Sequence, residues 1–130
     1  MNIAIVKYNA GNVCSITNAL NRLGIEPVIT DNAEYLSTAD KIIFPGVGEA
    51  SSAMQYLKAH HLDNLIRDLK QPLLGICLGM QLLCRFSEEN NTDCLGIFDL
   101  NVKKFSSPLK IPQIGWNSID NLSSELFKGI

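Results

Sequence analysis

The chain has 130 residues, of which 46% are hydrophobic and 18% are charged, and its formal net charge is −2. This length is typical of one domain, and the apolar fraction is sufficient for a buried core. The small negative charge gives no electrostatic reason to expect nucleic acid or an anionic membrane as a partner. No apolar run approaches the length of a membrane span, so we expect a globular protein.

Cysteine usage indicates the compartment and argues against a metal site. None of the cysteines pairs at the C-x-x-C spacing of zinc or redox sites. The N-terminus becomes polar too soon for a signal peptide, so we expect free thiols in a reducing cytoplasm, with no metal and no cofactor. The four cysteines are Cys14, Cys77, Cys84 and Cys94.

Strands and helices alternate along the first two thirds of the chain. Apolar residues at helical spacing predict a helix that Gly24 ends, a helical turn over 33–39, and two helices within 51–70 that separate near His60 and His61. This order predicts a parallel sheet with helices on both faces. Short apolar runs predict its four strands over residues 2–8, 27–30, 41–44 and 73–76, the first of them buried.

The loops after three of these strands carry the candidate functional residues. They contain Gly11-Asn12, Gly46-Val47-Gly48 and Cys77. The carboxyl ends of parallel strands lie at one edge of a sheet, and ligands of open α/β sheets bind there. The sequence therefore predicts that the three loops meet in one site.

The pattern changes after Phe86. A polar loop is predicted over 87–93, two short strands over 95–105 and a further loop over 106–110. An irregular segment covers 111–119, and a short helix is predicted from Ser123 or Ser124. The two strands predict an antiparallel extension of the sheet.

Cys77 is the candidate nucleophile. It follows a predicted strand, precedes a helix expected from Leu78 or Gly79, and lies between Gly75 and Gly79. G-x-C-x-G is the cysteine counterpart of the serine-hydrolase nucleophile elbow, a strained turn without room for side chains two residues away. A helix N-terminus favours the thiolate, and the Leu78 N–H would face an oxyanion. The alternative is a core cysteine, which is the role we expect for Cys84 on the same helical face.

Other candidates near Cys77 have functional and ordinary interpretations. Residues 45–48 (PGVG) either present N–H groups to an oxyanion or form a plain turn. Gln81, one helical turn after Cys77, either binds substrate or is an ordinary polar helix residue. Glu89 either binds an ammonium group or is a solvated loop charge. Trp116 is either a core residue or a partner contact.

A general base for the thiol is missing from the pattern. The only histidines are His60 and His61, which are predicted to lie within or between helices. A catalytic base is expected on a loop at the site, so we expect neither histidine to serve Cys77.

Four segments carry a family resemblance. GICLGMQLL (75–83) and PGVGEA (45–50) resemble the nucleophile and oxyanion-strand motifs of class I, triad-type glutamine amidotransferases. Within that class, YNAGNVCSITNALNRLG (8–24) and KIPQIGWNSI (110–119) resemble the glutaminase subunit of imidazole glycerol phosphate synthase, an enzyme of histidine biosynthesis. The resemblance covers essentially the whole chain in collinear order.

This resemblance implies a fold and an expectation about activity. The fold is a flavodoxin-like, three-layer α/β sheet, mostly parallel with an antiparallel extension. Residues 1–130 are expected to be a single incomplete domain whose C-terminal part is missing, because the family's triad His and Glu lie in a His-x-Glu segment further along the chain. We therefore expect this 130-residue chain alone to be inactive as a glutaminase.

The resemblance also implies a role for each motif residue. Cys77 would attack the carboxamide of glutamine, forming a glutamyl thioester and releasing ammonia. The oxyanion hole would be formed by Gly46, Val47 and the Leu78 N–H, after the strand peptide reorients. Gly48 would line the pocket.

The remaining implied roles concern substrate and partner. Gln81 and Glu89 would hold the amino-acid end of glutamine. Asn12 and Trp116 would face a cyclase subunit, which would form a heterodimer with this chain, receive the ammonia and regulate hydrolysis through its own ligand.

Two positions depart from the family pattern. Asn9 stands where the first glycine of Tyr-Gly-x-Gly-Asn is expected, and Gln113 stands where Pro-His-Met-Gly-Trp-Asn has histidine. Two alternative functions remain open at this stage: a non-catalytic binding module, and the glutaminase subunit of another class I amidotransferase.

Overall fold

The computed structural model describes residues 1–106, 111–112 and 114–129. Its centre is a four-stranded sheet in which every pair of neighbouring strands is parallel. The parallel sheet and the four predicted strands are confirmed. The strands, in the spatial order β2-β1-β3-β4, are β1 (Ile3–Val6), β2 (Val28–Thr30), β3 (Lys41–Phe44) and β4 (Leu73–Gly75).

Helices pack on both faces of this sheet. On one face, Leu20 of the first helix packs with Ile3, Ile5 and Ile43. The other helices contribute to a larger core on the opposite face. Cover on both sides explains why β1 is buried at every position. The helices are α1 (Val13–Arg22), α2 (Ala33–Thr38), α3 (Ala50–Ala59), α4 (Leu62–Asp68) and α5 (Leu78–Leu83).

Two helix ends follow the sequence signals. Gly24 has a φ of +73°, which suits a glycine after the C-terminus of α1. His61 has a φ of +57°, a left-handed conformation that separates α3 from α4. The predicted end at Gly24 and the predicted break near His60 and His61 are both confirmed.

A second sheet after α5 differs from the prediction. It contains β5 (Cys84–Ser87), β6 (Thr92–Asp93) and β7 (Phe98–Val102) in the order β6-β5-β7. β5 is antiparallel to β6 and parallel to β7. Residues 95–105 therefore contribute one strand where two were predicted, and the predicted loop over 87–93 contains β6.

The helical placement of Cys84 is wrong. α5 ends at Leu83, and Cys84 is the first residue of β5. The buried Leu95 donates its N–H to the Leu82 carbonyl at 2.9 Å, and the Gly96 N–H donates to the Cys84 carbonyl at 2.8 Å. The chain after α5 thus bonds to the segment that precedes β7, and an extended backbone replaces the next helical turn.

The last part of the chain has little regular structure. Beyond Val102, the described residues contain one 3₁₀ turn, Glu125–Phe127, at the place where a short helix was predicted. Residues 107–110 of the predicted loop and Gln113 lie outside the described residues. In the described part of the chain, no helix combines the length and apolarity that a membrane crossing requires.

Candidate active site

The loops after β1, β3 and β4 meet at one edge of the sheet. A Cβ added to Gly11 would stand 3.2 Å from Cγ2 of Val47, so the first loop contacts the second. The N–H of Leu78, directly after Cys77, donates to the Gly46 carbonyl at 3.3 Å. The predicted convergence of the three loops is therefore confirmed.

Cys77 occupies a strained turn between β4 and α5. Its φ of 53° and ψ of −116° place a residue with a side chain in a region that L-amino acids rarely adopt. Such a conformation costs about 1–3 kcal/mol and persists only where the surrounding structure imposes it. The Cys77 side chain is exposed, which excludes the alternative of a core cysteine.

Gly75 and Gly79 allow the strand, the turn and the helix to approach closely. A Cβ on Gly79 would overlap the carbonyl oxygen of Phe44 and stand 2.7 Å from its carbonyl carbon. A Cβ on Gly75 would stand 2.7 Å from the Cα of Met80. The predicted need for glycine at both positions is confirmed, and the groups that require it are the backbones of β3 and α5.

The candidate oxyanion donor is already engaged in this structure. The Leu78 N–H donates to Gly46, and the Ile76 N–H donates to the Phe44 carbonyl at 3.0 Å. An oxyanion can accept from Leu78 only after the Gly46 carbonyl moves away. Gly48, with a φ of +130°, gives this segment a conformation that glycine adopts easily.

Tyr8 is a member of the site that sequence reasoning did not single out. Its hydroxyl donates to the Pro45 carbonyl, and its ring packs against Phe44 with centroids 5.2 Å apart. Burial, and then the negative charge of the nearby Cys77 thiolate, raises the pKa of Tyr8. The phenol therefore remains a donor. The sequence feature that could have identified Tyr8 is its position at the end of a buried strand, directly before a glycine-containing loop.

Gln81 and Glu89 line one cavity of about 500 Å³, together with Asn90 and Phe105. Cys77 does not line this cavity. The Gln81 N–H donates to the Cys77 carbonyl at 3.0 Å, so Gln81 lies one helical turn after Cys77. The structure thus brings the two predicted substrate ligands together in one cavity, which Cys77 does not line.

Glu49 is a second residue that sequence reasoning missed. Its carboxylate accepts from the N–H groups of Ser51 and Ser52 at 2.7 Å and 2.8 Å, which caps α3. It also accepts from Nδ2 of Asn90 at 2.9 Å. These bonds, with those from the Ser52 and Ser51 backbone contributing most, lower the pKa of Glu49 to about 2.

Glu89 contacts the same helix end. Its Oε2 accepts from the Ala50 N–H at 2.8 Å. Glu89 and the adjacent Asn90 are thereby attached to the start of α3, directly after the Gly46–Gly48 loop. The loop that carries Glu89, the candidate ammonium ligand, is therefore bonded to the N-terminus of α3. The segment with the candidate oxyanion donors, Gly46–Gly48, leads directly into the same helix end.

His60 and His61 lie at the end of α3 that is remote from the site. α3 begins at Ala50, and ten helical residues advance the chain by about 15 Å before His60. The ring of His60 stacks on Tyr56 with centroids 4.1 Å apart. This placement agrees with the prediction that neither histidine serves Cys77.

The two predicted interface residues are both exposed. Asn12 precedes α1 with a left-handed φ of 73°, and the Trp116 side chain is fully exposed. Their contact with a partner stays a prediction, whereas a core role for Trp116 is wrong. Across residues 1–106, 111–112 and 114–129, no group of three or more His, Cys, Asp or Glu side chains could hold a metal ion.

A strained turn that exposes a cysteine beside a glycine loop, on a parallel α/β sheet, is the arrangement expected of an enzyme with a thiol nucleophile. The family model for glutamine amidotransferase class-I matches residues 4–129. The chain belongs to this family. A crystal structure of a glutamine amidotransferase matches with a TM-score of 0.68, over 79% of this chain and 56% of that chain. At 22% identity, that match supports the fold.

Within the family, the chain is similar to the HisH subunits of imidazole glycerol phosphate synthase. It is 58% identical over 132 residues to the subunit of Bacteroides fragilis and 57% identical to that of Bacteroides thetaiotaomicron. Each match covers 99% of this chain and 67% of the relative. The chain thus groups with the HisH glutaminase subunits and spans about two thirds of their length. This similarity favours HisH over the glutaminase subunits of other class I enzymes.

Proposed function

We propose that the chain is the glutamine-hydrolysing subunit of an imidazole glycerol phosphate synthase and supplies ammonia to a cyclase subunit in histidine biosynthesis. The observation that carries the proposal is the exposed thiol of Cys77 on a strained turn, followed directly by the Leu78 N–H. The similarity to HisH subunits supports the choice of substrate and partner.

The proposed reaction proceeds through a thioester. The Cys77 thiolate attacks the carboxamide carbon of glutamine, and the C=O electron pair moves to the oxygen. The tetrahedral intermediate collapses to a glutamyl thioester, and the protonated nitrogen leaves as ammonia. Water then attacks the thioester, which yields glutamate and restores the thiol. Two oxyanions form in this sequence, and each requires N–H donors beside Cys77.

The oxyanion hole requires a rearrangement of the loop after β3. The C=O and the N–H of one planar trans peptide point in opposite directions. A rotation of the Gly46–Val47 peptide would therefore remove the Gly46 carbonyl from the Leu78 N–H and turn the Val47 N–H toward the site. The proposed donors are the N–H groups of Leu78, Val47 and Gly46.

The cavity beside α5 is the proposed site for the amino-acid end of glutamine. Glu89 would bind the ammonium group, and Gln81 would donate or accept a hydrogen bond. Gly48 lies outside this cavity, and it would line the part of the substrate site that contains Cys77. Glu89 uses Oε2 for the Ala50 N–H, so its Oε1 is the atom proposed for the ammonium group. Asn12 and Trp116 are the proposed contacts with the cyclase subunit.

The thiol proton requires a base, and the 130 residues contain no His-x-Glu segment. We therefore expect a polypeptide of residues 1–130 alone to turn over glutamine very slowly. A non-catalytic module that binds a partner through the same edge is the second candidate. The hydrogen bond that occupies the Leu78 N–H favours it.

Labelling with an electrophilic glutamine analogue tests the proposal in the natural gene product. We expect one adduct, located by mass spectrometry on the Cys77 peptide and absent from Cys77→Ser. With the cyclase subunit present, Cys77→Ser should lower glutamine hydrolysis by about 10³-fold or more. Cys14→Ser is the matched control because Cys14 is also exposed, and it should retain both properties. Cyclase binding without labelling or turnover would instead establish the non-catalytic module.

A further inference from the structure

The carbonyl of Pro45 is held by a buried side chain from the neighbouring strand. Tyr8, 7% exposed, follows β1, and its hydroxyl donates to this carbonyl across 37 residues of sequence. Its ring is held in turn against Phe44. The last residue of β3 and the first residue of the loop that follows it are therefore both in contact with Tyr8.

Gly46 is confined by the same hydroxyl. A Cβ on Gly46 would overlap the Tyr8 oxygen, and it would stand 3.1 Å from Cβ of Leu78 and 3.3 Å from the Gly79 nitrogen. Gly46 thus lies between the Tyr8 hydroxyl on one side and the start of α5 on the other. Its carbonyl, held in this position, accepts from the Leu78 N–H.

We infer that Tyr8 is a positioning residue, whose hydroxyl holds the Pro45–Gly48 segment in the arrangement that occupies the Leu78 N–H. The bond to the Pro45 carbonyl fixes the plane of the Pro45–Gly46 peptide. The Gly46–Val47 peptide follows directly, so its rotation is restricted by a neighbouring peptide that cannot turn with it. Loss of the hydroxyl leaves the segment freer to rotate and the Leu78 N–H more often available. An effect of Tyr8 on the rate of glutamine hydrolysis rests on the proposed function, whereas its effect on the availability of the Leu78 N–H does not.

Amide hydrogen exchange of Leu78 tests the inference in the natural gene product. Tyr8→Phe removes the hydroxyl and retains the ring against Phe44. Because one hydrogen bond contributes modestly to stability, we expect the Leu78 amide to exchange about three- to tenfold faster. The amide of Ile76, which bonds to the Phe44 carbonyl of β3, and the amide of Gly79, which bonds to the Ile76 carbonyl, should exchange at the wild-type rate.

Two results of this measurement would overturn the inference. One is an unchanged Leu78 exchange rate in Tyr8→Phe. The other is equal acceleration at Leu78, Ile76 and Gly79, which would mean that the hydroxyl serves general stability. Tyr56→Phe is the matched control: it removes a tyrosine hydroxyl from α3, and it should leave all three rates unchanged.

A double-mutant cycle provides a second, independent test. Gly46→Ala introduces a Cβ against the Tyr8 oxygen, and Tyr8→Phe removes that oxygen. We expect the acceleration of Leu78 exchange in the double variant to be smaller than the product of the two single accelerations. Accelerations that multiply would mean that Tyr8 and Gly46 act independently, and the inference would be wrong.

Glutamine hydrolysis measured without the cyclase subunit provides a third test. Tyr8→Phe should raise kcat for glutamine in the absence of the cyclase subunit by about the same three- to tenfold factor, with KM unchanged. Faster Leu78 exchange with an unchanged or lower kcat would overturn the positioning role in catalysis. If wild type and variants all lack turnover, even with the cyclase subunit, the proposed function fails, and the exchange data still decide the role of Tyr8.

Discussion

Two strand-to-helix junctions lie side by side at the edge of the sheet, and they are held by different forces. The junction from β4 to α5 holds Cys77 between glycines whose neighbours leave no room for a side chain. The junction from β3 to α3 is held by hydrogen bonds, from Tyr8 to Pro45 and from Leu78 to Gly46. Steric contact fixes the turn of Cys77, the proposed nucleophile, whereas bonds worth about 1 kcal/mol each hold the segment that is proposed to rotate. A sterically fixed turn and a loop that is proposed to move thus lie next to each other.

The largest effect is expected where steric contact is disturbed. Gly79→Ala places a Cβ on the Phe44 carbonyl, so we expect the free energy of unfolding to fall by about 2–3 kcal/mol in urea denaturation. Gly24→Ala is the matched control, because Gly24 has open space around it and a φ of +73°. It should lose only about 1 kcal/mol, from backbone strain. Equal losses would show that close approach at Gly79 is unimportant.

A smaller, pH-dependent effect is expected at the start of α3. The pKa of Glu49 falls from 4.5 to about 2 in the folded chain. A carboxyl with a lowered pKa stabilises the fold above its ordinary pKa, and this contribution is lost as the pH falls through 4.5 toward 2. We expect Glu49→Gln to have a lower urea midpoint than wild type near neutral pH and a weaker pH dependence across that interval.

Ser51→Ala provides the control for Glu49. It removes the hydroxyl bond to the Glu49 carboxylate and retains the backbone N–H bonds. Its pH dependence should therefore lie between those of wild type and Glu49→Gln. A wild-type pH dependence in Glu49→Gln would assign the acid sensitivity of this chain to other carboxyls.

The smallest effect is expected at the bond between Glu49 and Asn90. Asn90 has a φ of 52°, which glycine adopts easily, so Asn90→Gly removes the amide and retains the backbone shape. We expect KM for glutamine to rise by about fivefold with kcat unchanged, because the loop that carries Glu89 loses one hydrogen bond to α3.

Asn91→Gly is the matched control for this loop, since Asn91 also has a positive φ, of 47°. It introduces the same glycine flexibility one residue away from the Glu49 contact. Its KM should stay near the wild-type value. Equal increases in KM would assign the effect to loop flexibility and not to the bond with Glu49.

Local sequence patterns predicted the strained turn and the parallel sheet well. The two glycines of the turn, Gly75 and Gly79, are visible as a G-x-C-x-G pattern over five residues, although the atoms that confine Gly79 belong to Phe44 and Pro45. The strands of the parallel sheet were visible as apolar runs. Cover on both faces explains this for the central strands β1 and β3, whereas the outer strands β2 and β4 leave apolar residues exposed. Prediction failed for β5, since Cys84 follows a helical pattern and becomes extended only through bonds to residues after β6.

The sequence by itself determined the order of strands and helices along the first two thirds of the chain, the turn that carries Cys77 between two glycines, and the resemblance to class I glutamine amidotransferases. Only the tertiary structure decided what holds the loop after β3. Tyr8 lies 37 residues from Pro45, and Glu49 lies 41 residues from Asn90. Contacts at such separations have no local pattern, because they depend on which strands become neighbours in the sheet. The loop after β3, which is proposed to move, is held by these contacts. The turn of Cys77 is confined both by near neighbours in the chain, at Gly75, and by the adjacent strand, at Gly79.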